Sequence, residues 1–400
     1  MAFGPCPSSL HLRIVGNRAG ALASVLKSFE KWLYLPDPGI VEIILAVVAA
    51  NHIKGDPVWL LLTGASSSGK TEVLNSLVNI PKTHAAATLT EAALLSGTPQ
   101  KERAEDATGG LLREVDQFGI LVLKDFTSIL SMHRGTRQSV LAALREIYDG
   151  HWTRRVGVDG ARTLSWSGKL GLIGGVTSAI DSAHAVMSSM GNRFALFRLP
   201  EANGHEQAKR ALAKTGCEEE MRTELAAVVA GLLKSVDASA APSLPRENDR
   251  WIIALTTVVA RCRSAVDRDG YSRDISLIHD PEAPARLTRM LGQLLRGALV
   301  IGIAAPRARA LIVKVGLDCI PPVRRLALEA LLKQSTALTT KTIAAGTHYP
   351  EQTVRRALED LQCHGVVEQG AKHSIAELWH VAPHWKQQFE VAHGAFPKCQ

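Results

Sequence analysis

Residues Gly64-Ala65-Ser66-Ser67-Ser68-Gly69-Lys70-Thr71 spell a complete G-x-x-x-x-G-K-[ST] phosphate loop, directly after the apolar run Val58-Trp59-Leu60-Leu61-Leu62. A buried strand ending in such a loop, with helix-forming Glu72 to Val78 behind it, turns successive backbone N–H groups and a helix N-terminus toward one point. That point can hold the oxygens of a triphosphate. Gly64, Ser66, Ser67, Ser68 and Gly69 would form the cradle, the Lys70 ammonium would reach the β- and γ-phosphates, and the Thr71 hydroxyl would ligate the metal. The expected ligands are ATP and Mg²⁺. An ordinary Gly/Ser turn has the same composition, but it has no reason to sit between a buried strand and a helix.

An ATPase also needs an acid near the metal and the attacking water, usually at the end of a neighbouring buried strand. Gly119-Ile120-Leu121-Val122-Leu123 supplies such a strand, and Lys124-Asp125-Phe126 follows it. The order Gly109-Gly110-Leu111-Leu112, this strand, a helix ending Leu144-Arg145-Glu146-Ile147-Tyr148-Asp149-Gly150 and a basic hairpin resembles the AAA+ ATPase module of minichromosome maintenance helicases. The resemblance runs over about residues 58–302. It implies that Asp125 is the acid that polarises water and contacts the metal, and that Lys124 stands where the family has its metal-associated carboxylate. It further implies that Thr177, ending the strand Gly171-Leu172-Ile173-Gly174-Gly175-Val176, senses the γ-phosphate. Arg193, in Met190-Gly191-Asn192-Arg193-Phe194, would be a finger reaching a neighbouring subunit's nucleotide, and Arg286, in Ala285-Arg286-Leu287-Thr288-Arg289, a second nucleotide sensor. A bland role exists for each: Asp125 suits a helix N-cap, and Arg193 and Arg286 suit a protein surface.

Thr153-Arg154-Arg155-Val156-Gly157-Val158 and Ala161-Arg162-Thr163-Leu164-Ser165-Trp166 flank Asp159-Gly160, a dipeptide suited to a two-residue hairpin turn. In the helicases that this segment resembles, a hairpin before the first sensor strand grips DNA phosphates in the ring's pore. Arg154, Arg155 and Arg162 could do so without reading sequence, with Trp152 or Trp166 available for stacking.

The elements that must position these groups are legible from periodicity. Residues 20–54 alternate at helical spacing and break at Pro36-Asp37-Pro38-Gly39, giving two helices. From Val58 to about Pro200, the short apolar strands Trp59–Leu62, Ile120–Leu123, Leu170–Gly174 and Phe194–Arg198 alternate with helical stretches, the pattern of an α/β fold with a parallel sheet. Helical periodicity over 218–233, 251–265 and 283–302 predicts an all-α lid with no further strand. The expected organisation is an N-terminal helical segment (1–57), an AAA+ P-loop α/β core (58–200), a helical lid (201–320) and a C-terminal winged helix-turn-helix domain (321–400).

In that last part, Val323 to Lys333 is predicted as a helix, and Thr339 to Ala344 as a short capped one. Pro350 opens a third, running to Leu361. Val354, Leu358 and Leu361 share one face. Gln352, Thr353, Arg355 and Arg356 lie outward, as a recognition helix entering a major groove would place them. Residues 365–370 and 376–381 alternate like the strands of a wing. The whole resembles a winged helix-turn-helix, a module that also mediates protein contacts.

Composition bounds the partners. The 400 residues are 46% apolar, enough for a cored globular chain. Ile40 to Ile53 is interrupted by Glu42 and falls short of the roughly 20 residues that span a bilayer, so it reads as a buried helix. Residues 1–9 carry prolines and no basic stretch before an apolar core, so no secretory signal is expected and the localisation would be cytoplasmic, with no membrane partner. The six cysteines show no C-x-x-C spacing, which argues against zinc or a disulfide framework. Net charge is +8, modest for this length; the arginine-rich stretch 286–325 reads as solvated surface. These features lead to a DNA-dependent ATPase, helicase-like and translocating on single-stranded or duplex DNA. The resemblance implies a homo-oligomer such as a hexameric ring. The alternatives are an ATP-responsive winged-helix transcription regulator, which would tolerate the poor hydrolysis that Lys124 suggests, and a loader or defence-type ATPase acting on another protein.

Overall fold

The structure is a computed structural model describing residues 9–96, 109–157, 162–184, 187, 191–238, 241–244, 247–370 and 377–393, with side chains described from 18 onward except at 162, 247, 248 and 393. Its strands in chain order are β1 (Trp59–Thr63), β2 (Thr83–Ala86), β3 (Phe118–Leu123), β4 (His151–Val156), β5 (Arg162–Ser167), β6 (Lys169–Val176), β7 (Ala195–Arg198), β8 (Val266–Arg268), β9 (Ile275–Ile278), β10 (Leu338–Thr339), β11 (Val367–Gln369) and β12 (Leu378–Val381). Five of them form one sheet in the order β2-β3-β6-β1-β7, and the pairs β2–β3, β3–β6 and β6–β1 are parallel. Every residue of β1 and five of the six in β3 are buried. Strands covered on both faces read as continuous apolar runs, which is why these were visible in the sequence. β2 was not expected. Its Thr-His-Ala-Ala carries no apolar run, and as an edge strand it needs only β3 beside it.

The helices Ser9–Trp32 and Gly39–His52 are separated at the expected break, where the Asp37 carboxylate accepts the Gly39 N–H at 2.8 Å. Residues 39–51 are all buried, so the most apolar stretch is a core helix. Its Asn51 amide bonds the Val58 carbonyl and N–H and fixes the start of β1. Among the described residues, no helix is long and apolar enough to cross a membrane.

The chain packs into two units. The first comprises 1–178, 197–243 and 293–311; the second comprises 179–196, 244–292 and 312–400. The all-α expectation for 201–320 needs correction. Helices Gly204–Ala213, Glu218–Lys234, Glu247–Cys262, Ala285–Val300 and Ala305–Asp318 are present, but β8 and β9 form an antiparallel hairpin between them. Its strands of three and four residues are too short to impose a period-2 pattern, and a bulge at Asp267/Arg268 disturbs what pattern there is.

In the second unit, helices Pro322–Leu332, Thr340–Thr347 and Glu351–Cys363 accompany the antiparallel sheet β10-β12-β11. Thr339 Oγ1 accepts the Thr342 N–H at 3.1 Å and starts the second of these helices. Val354, Ala357, Leu358 and Leu361 form the buried face of the third. Residue 376, the first of the second wing segment, lies outside the described residues together with 371–375 before it, as do the turn Asp159-Gly160 and Met190.

The arginine-rich stretch 286–325 is only in part the solvated surface expected of it: Arg289 and Arg307 are exposed, but others are not. Arg324 is buried, donating to the carbonyls of Cys262 (3.0 Å) and Ser264 (2.7 Å) and to Asp360 (2.9 Å), and Arg325 pairs with Asp318. Arg307 pairs with Glu42, 265 residues away in sequence. Asp360 and Glu42 come from distant segments, so local charge reading could not find those pairs, whereas Asp318 lies only seven residues before Arg325. Cys262 lies in the same core, and burial pushes its thiol up to about 12, leaving it inert.

Burial, and then the charges of Arg324 and Arg263, push the His184 imidazole down to about 4, and its Nε2 is buried with no hydrogen-bond partner. Between about pH 6.5 and 4 the unfolded chain binds a proton here that the folded chain refuses. Stability is therefore expected to be full above pH 6.5 and to fall by up to about 3 kcal/mol as pH drops toward 4. Urea titrations across this range should show the loss, and His184→Gln should flatten it. An unchanged pH slope in that folded variant would remove His184 as its source.

Candidate nucleotide and nucleic-acid sites

The phosphate loop leaves β1 at Thr63 and enters the helix Lys70–Asn75. Two residues of the loop take left-handed backbone, Ser67 at φ 61° and Gly69 at φ 83°. Such residues let neighbouring N–H groups converge into an anion nest. At Gly69 a side chain would be strained, and its Cβ would sit 3.3 Å from Leu35 Cδ2. Lys70 is buried under the loop. Its Nζ donates to the carbonyls of Gly64 (2.8 Å) and Ala65 (2.6 Å) and to Ser68 Oγ (2.9 Å). Burial lowers its pKa and the Asp125 charge opposes that shift, so the two side chains lie within electrostatic reach. Ser66 and Thr71 are exposed. One residue before the loop, the buried Thr63 hydroxyl has no hydrogen-bond partner. A buried lysine held by loop oxygens, a nest and an unsatisfied hydroxyl beside it fit a polyphosphate.

β3 ends at Leu123 and delivers Lys124 and Asp125 to solvent. Asp125 Oδ1 accepts the Thr127 N–H at 2.9 Å and closes a turn two residues on, but the N-cap of the helix Thr127–Leu130 is Phe126, so Asp125 is not the cap that its residue type suits. The Thr127 hydroxyl accepts the Thr177 N–H at 3.2 Å and ties the end of β3 to the end of β6. Thr177 thus lies beside the Asp125 turn. No residue pattern singles out Thr127. The donor set for Mg²⁺ is one hydroxyl, Thr71, and one carboxylate, Asp125. Mg²⁺ commonly takes one or two carboxylates plus phosphates and water, so the residues present fit it.

Two further contacts around the loop were not foreseen. Glu72 takes a bidentate bond from Arg222 (2.7 and 2.9 Å), which lowers its pKa, and the Lys124 charge adds a smaller effect in the same sense. Gln207 Nε2 donates to the Ser67 carbonyl. Arg222 and Gln207 are more than a hundred residues from their partners in sequence, beyond any local pattern.

In the second unit, Arg193 is 5% exposed. Arg286 Nη1 donates to the Gly191 carbonyl, and Asn192 at φ 42° is held by Glu282 (3.2 Å), itself bidentate with Arg263. A Cβ on Gly191, whose φ is 72°, would lie 2.8 Å from Arg286 Nη1 and 3.3 Å from Arg193 Nη1. The two arginines therefore converge on one glycine.

β4 and β5 pair antiparallel with Trp152 opposite Trp166. Both rings are buried, and Trp166 Nε1 donates to the Asp116 carbonyl at 2.6 Å. They pack the base of the hairpin, which corrects the expectation that either is available for stacking. Arg155 is exposed, whereas Arg154 Nη1 donates to the Leu95 carbonyl at 2.6 Å. The Arg162 side chain lies outside the described residues; its backbone pairs with Val156. On the helix Glu351–Cys363, Gln352 is exposed and Thr353 and Arg356 are half-buried. Arg355 pairs with Glu377 at 3.0 Å. That pair offsets one of the charges expected to face DNA. Among the described residues, no group of three or more His, Cys, Asp or Glu side chains could hold a metal ion.

No family model matches the chain, and no curated protein was found similar to it. Solved structures similar in backbone trace include an inferred ATPase of Cytophaga hutchinsonii, 11% identical, which covers 76% of this chain and 88% of its own at a TM-score of 0.42. A likeness at that level assigns no family.

Proposed function

We propose that the chain is an ATP-binding P-loop protein of AAA+ type that hydrolyses ATP in response to DNA and moves on it. The observation that carries this reading is the buried Lys70 ammonium, held by three oxygens of its own loop, with Asp125 in electrostatic reach. A phosphate entering the nest would take over those bonds. Thr71 would hold Mg²⁺, which supplies Lewis-acid neutralisation of the phosphate charge when bound. Asp125 would orient water, and Thr177, tied to the same turn through Thr127, would sense the γ-phosphate. Arg193 and Arg286, convergent in the second unit, would serve the nucleotide of a neighbouring copy in a homo-oligomeric ring. The three helices and the sheet β10-β12-β11 would act as a winged helix on duplex DNA, and the protein would work in the cytoplasm.

The hairpin tests the DNA part. Changing Arg154, Arg155 and Arg162 together to Ala is expected to weaken single-strand binding regardless of sequence. It should flatten the log–log salt dependence by roughly 0.7 units per lost phosphate contact. Arg154 already serves the Leu95 carbonyl, so its share should be the smallest of the three in single variants. Single-strand titrations at several salt concentrations decide it, and a triple variant that binds normally would exclude a DNA-gripping hairpin. Lys124 favours the rival reading, a regulator in which ATP sets assembly and the winged helix reads sequence. There, loss of Gln352 or Arg355 would cost about 1–3 kcal/mol on a preferred duplex site only.

A further inference from the structure

We propose, on the reading of residues 64–71 as a nucleotide site, that Arg222 is a second phosphate-binding cation of that site, which Glu72 holds back while the loop is empty and a bound triphosphate draws away. The site has a charge imbalance. A triphosphate carries more negative charge than Lys70 and one Mg²⁺ neutralise together, and Asp125, in electrostatic reach of Lys70, adds to the excess. Arg193 and Arg286 belong to the other unit of the chain. In the unit that carries the loop, the arginine bonded beside it is Arg222.

Glu72 directly follows Thr71 and stands in the first turn of the helix Lys70–Asn75. Arg222 Nη2 and Nε donate to its two carboxylate oxygens at 2.7 and 2.9 Å, which fixes the guanidinium to the residue next to the hydroxyl that would hold the metal. Gln207 reaches the Ser67 carbonyl in the middle of the loop. Residues 214–217 join its helix, Gly204–Ala213, to the helix Glu218–Lys234 that carries Arg222, so one helical pair meets the loop at two points.

Arg222 is not part of the core. Its helix buries Met221, Leu225, Ala226, Val229 and Leu232, whereas the Arg222 side chain is 53% exposed. An ion pair this open contributes little to folding. A guanidinium–phosphate contact is charge-assisted and takes the same two-pronged form, so a move from the carboxylate to a phosphate keeps the fork in use and meets more charge. The Arg222 bond chiefly, and the Lys124 charge to a smaller extent, lower the Glu72 pKa. The carboxylate is therefore ionised and competes with phosphate for the arginine.

Titration of the full chain with a fluorescent ATP analogue and Mg²⁺ tests this, with circular dichroism as the folding control. Arg222→Ala should weaken binding by roughly tenfold. Glu72→Gln, which keeps the side-chain shape and lets the arginine go, should instead strengthen it by roughly two- to fivefold. In an Arg222→Ala background the same Glu72→Gln change should gain less, because no arginine is left to release. A pair that only ties two helices together would move both single variants in the same direction. That result, or a gain from Glu72→Gln that persists in full without Arg222, would overturn this inference while leaving Lys70-dependent ATP binding in place. A wild-type chain that binds no ATP, or binds it equally well after Lys70→Ala, would overturn the nucleotide reading and this inference with it.

Discussion

Lys70→Ala is expected to weaken ATP binding by at least about tenfold, or 1.4 kcal/mol, in a protein that still folds. In the ligand-free site, the ammonium satisfies the Gly64 and Ala65 carbonyls and Ser68 Oγ. The Gly64 and Ala65 carbonyls are only part-buried, so water can replace the lost donor there and the cost to folding stays small. A bound triphosphate has no such substitute. Its β- and γ-oxygens would face a nest of N–H dipoles with the buried Lys70 cation removed. Gly69→Val, which strains a left-handed position against Leu35, attacks the same site through the backbone. Titration with a fluorescent ATP analogue, with circular dichroism as the folding control, decides between outcomes. A folded Lys70→Ala variant with wild-type affinity would remove the phosphate loop as the nucleotide site.

What could be read from the sequence was whatever a short window fixes. β1, β3 and β6 are buried on both faces, so their apolar runs stand out, and the phosphate loop is a contiguous string whose chemistry depends on its own backbone. The caps and breaks at Asp37, Thr339 and Pro350 are local too. The rest depends on partners brought from elsewhere. β2 is a strand because β3 lies beside it, and β8–β9 is too short to declare itself against helical neighbours. Arg324 looks like surface charge until Asp360 is placed next to it, and Trp152 and Trp166 look like stacking platforms until each is found opposite the other. Thr127 joins Asp125 to Thr177 through one N–H and one hydroxyl, and no spacing rule announces such a link. Site residues on the loop were therefore legible, while the residues that orient them were not.

The largest effect on turnover is expected from Asp125→Asn and Arg193→Ala, each lowering ATP hydrolysis by about 10³-fold or more, with partial recovery when the two variants are mixed. Asn keeps a side-chain oxygen for the Thr127 N–H, so the turn that Asp125 closes survives while the charge that would orient water is lost. An aspartate that only closes this turn would leave Asp125→Asn close to wild type. Arg193 belongs to the second unit, where it converges with Arg286 on Gly191. If that pair serves a neighbouring copy, a mixed assembly contains some interfaces in which an intact Asp125 meets an intact Arg193, and those interfaces turn over. If it serves its own nucleotide, every site in the mixture carries one defect. Steady-state ATPase assays on mixtures, with co-assembly verified by differently tagged chains, separate the two. Activity that stays at the level of the single variants in assemblies shown to be mixed would rule out a shared site, and near-wild-type turnover in Asp125→Asn would rule out Asp125 as the acid.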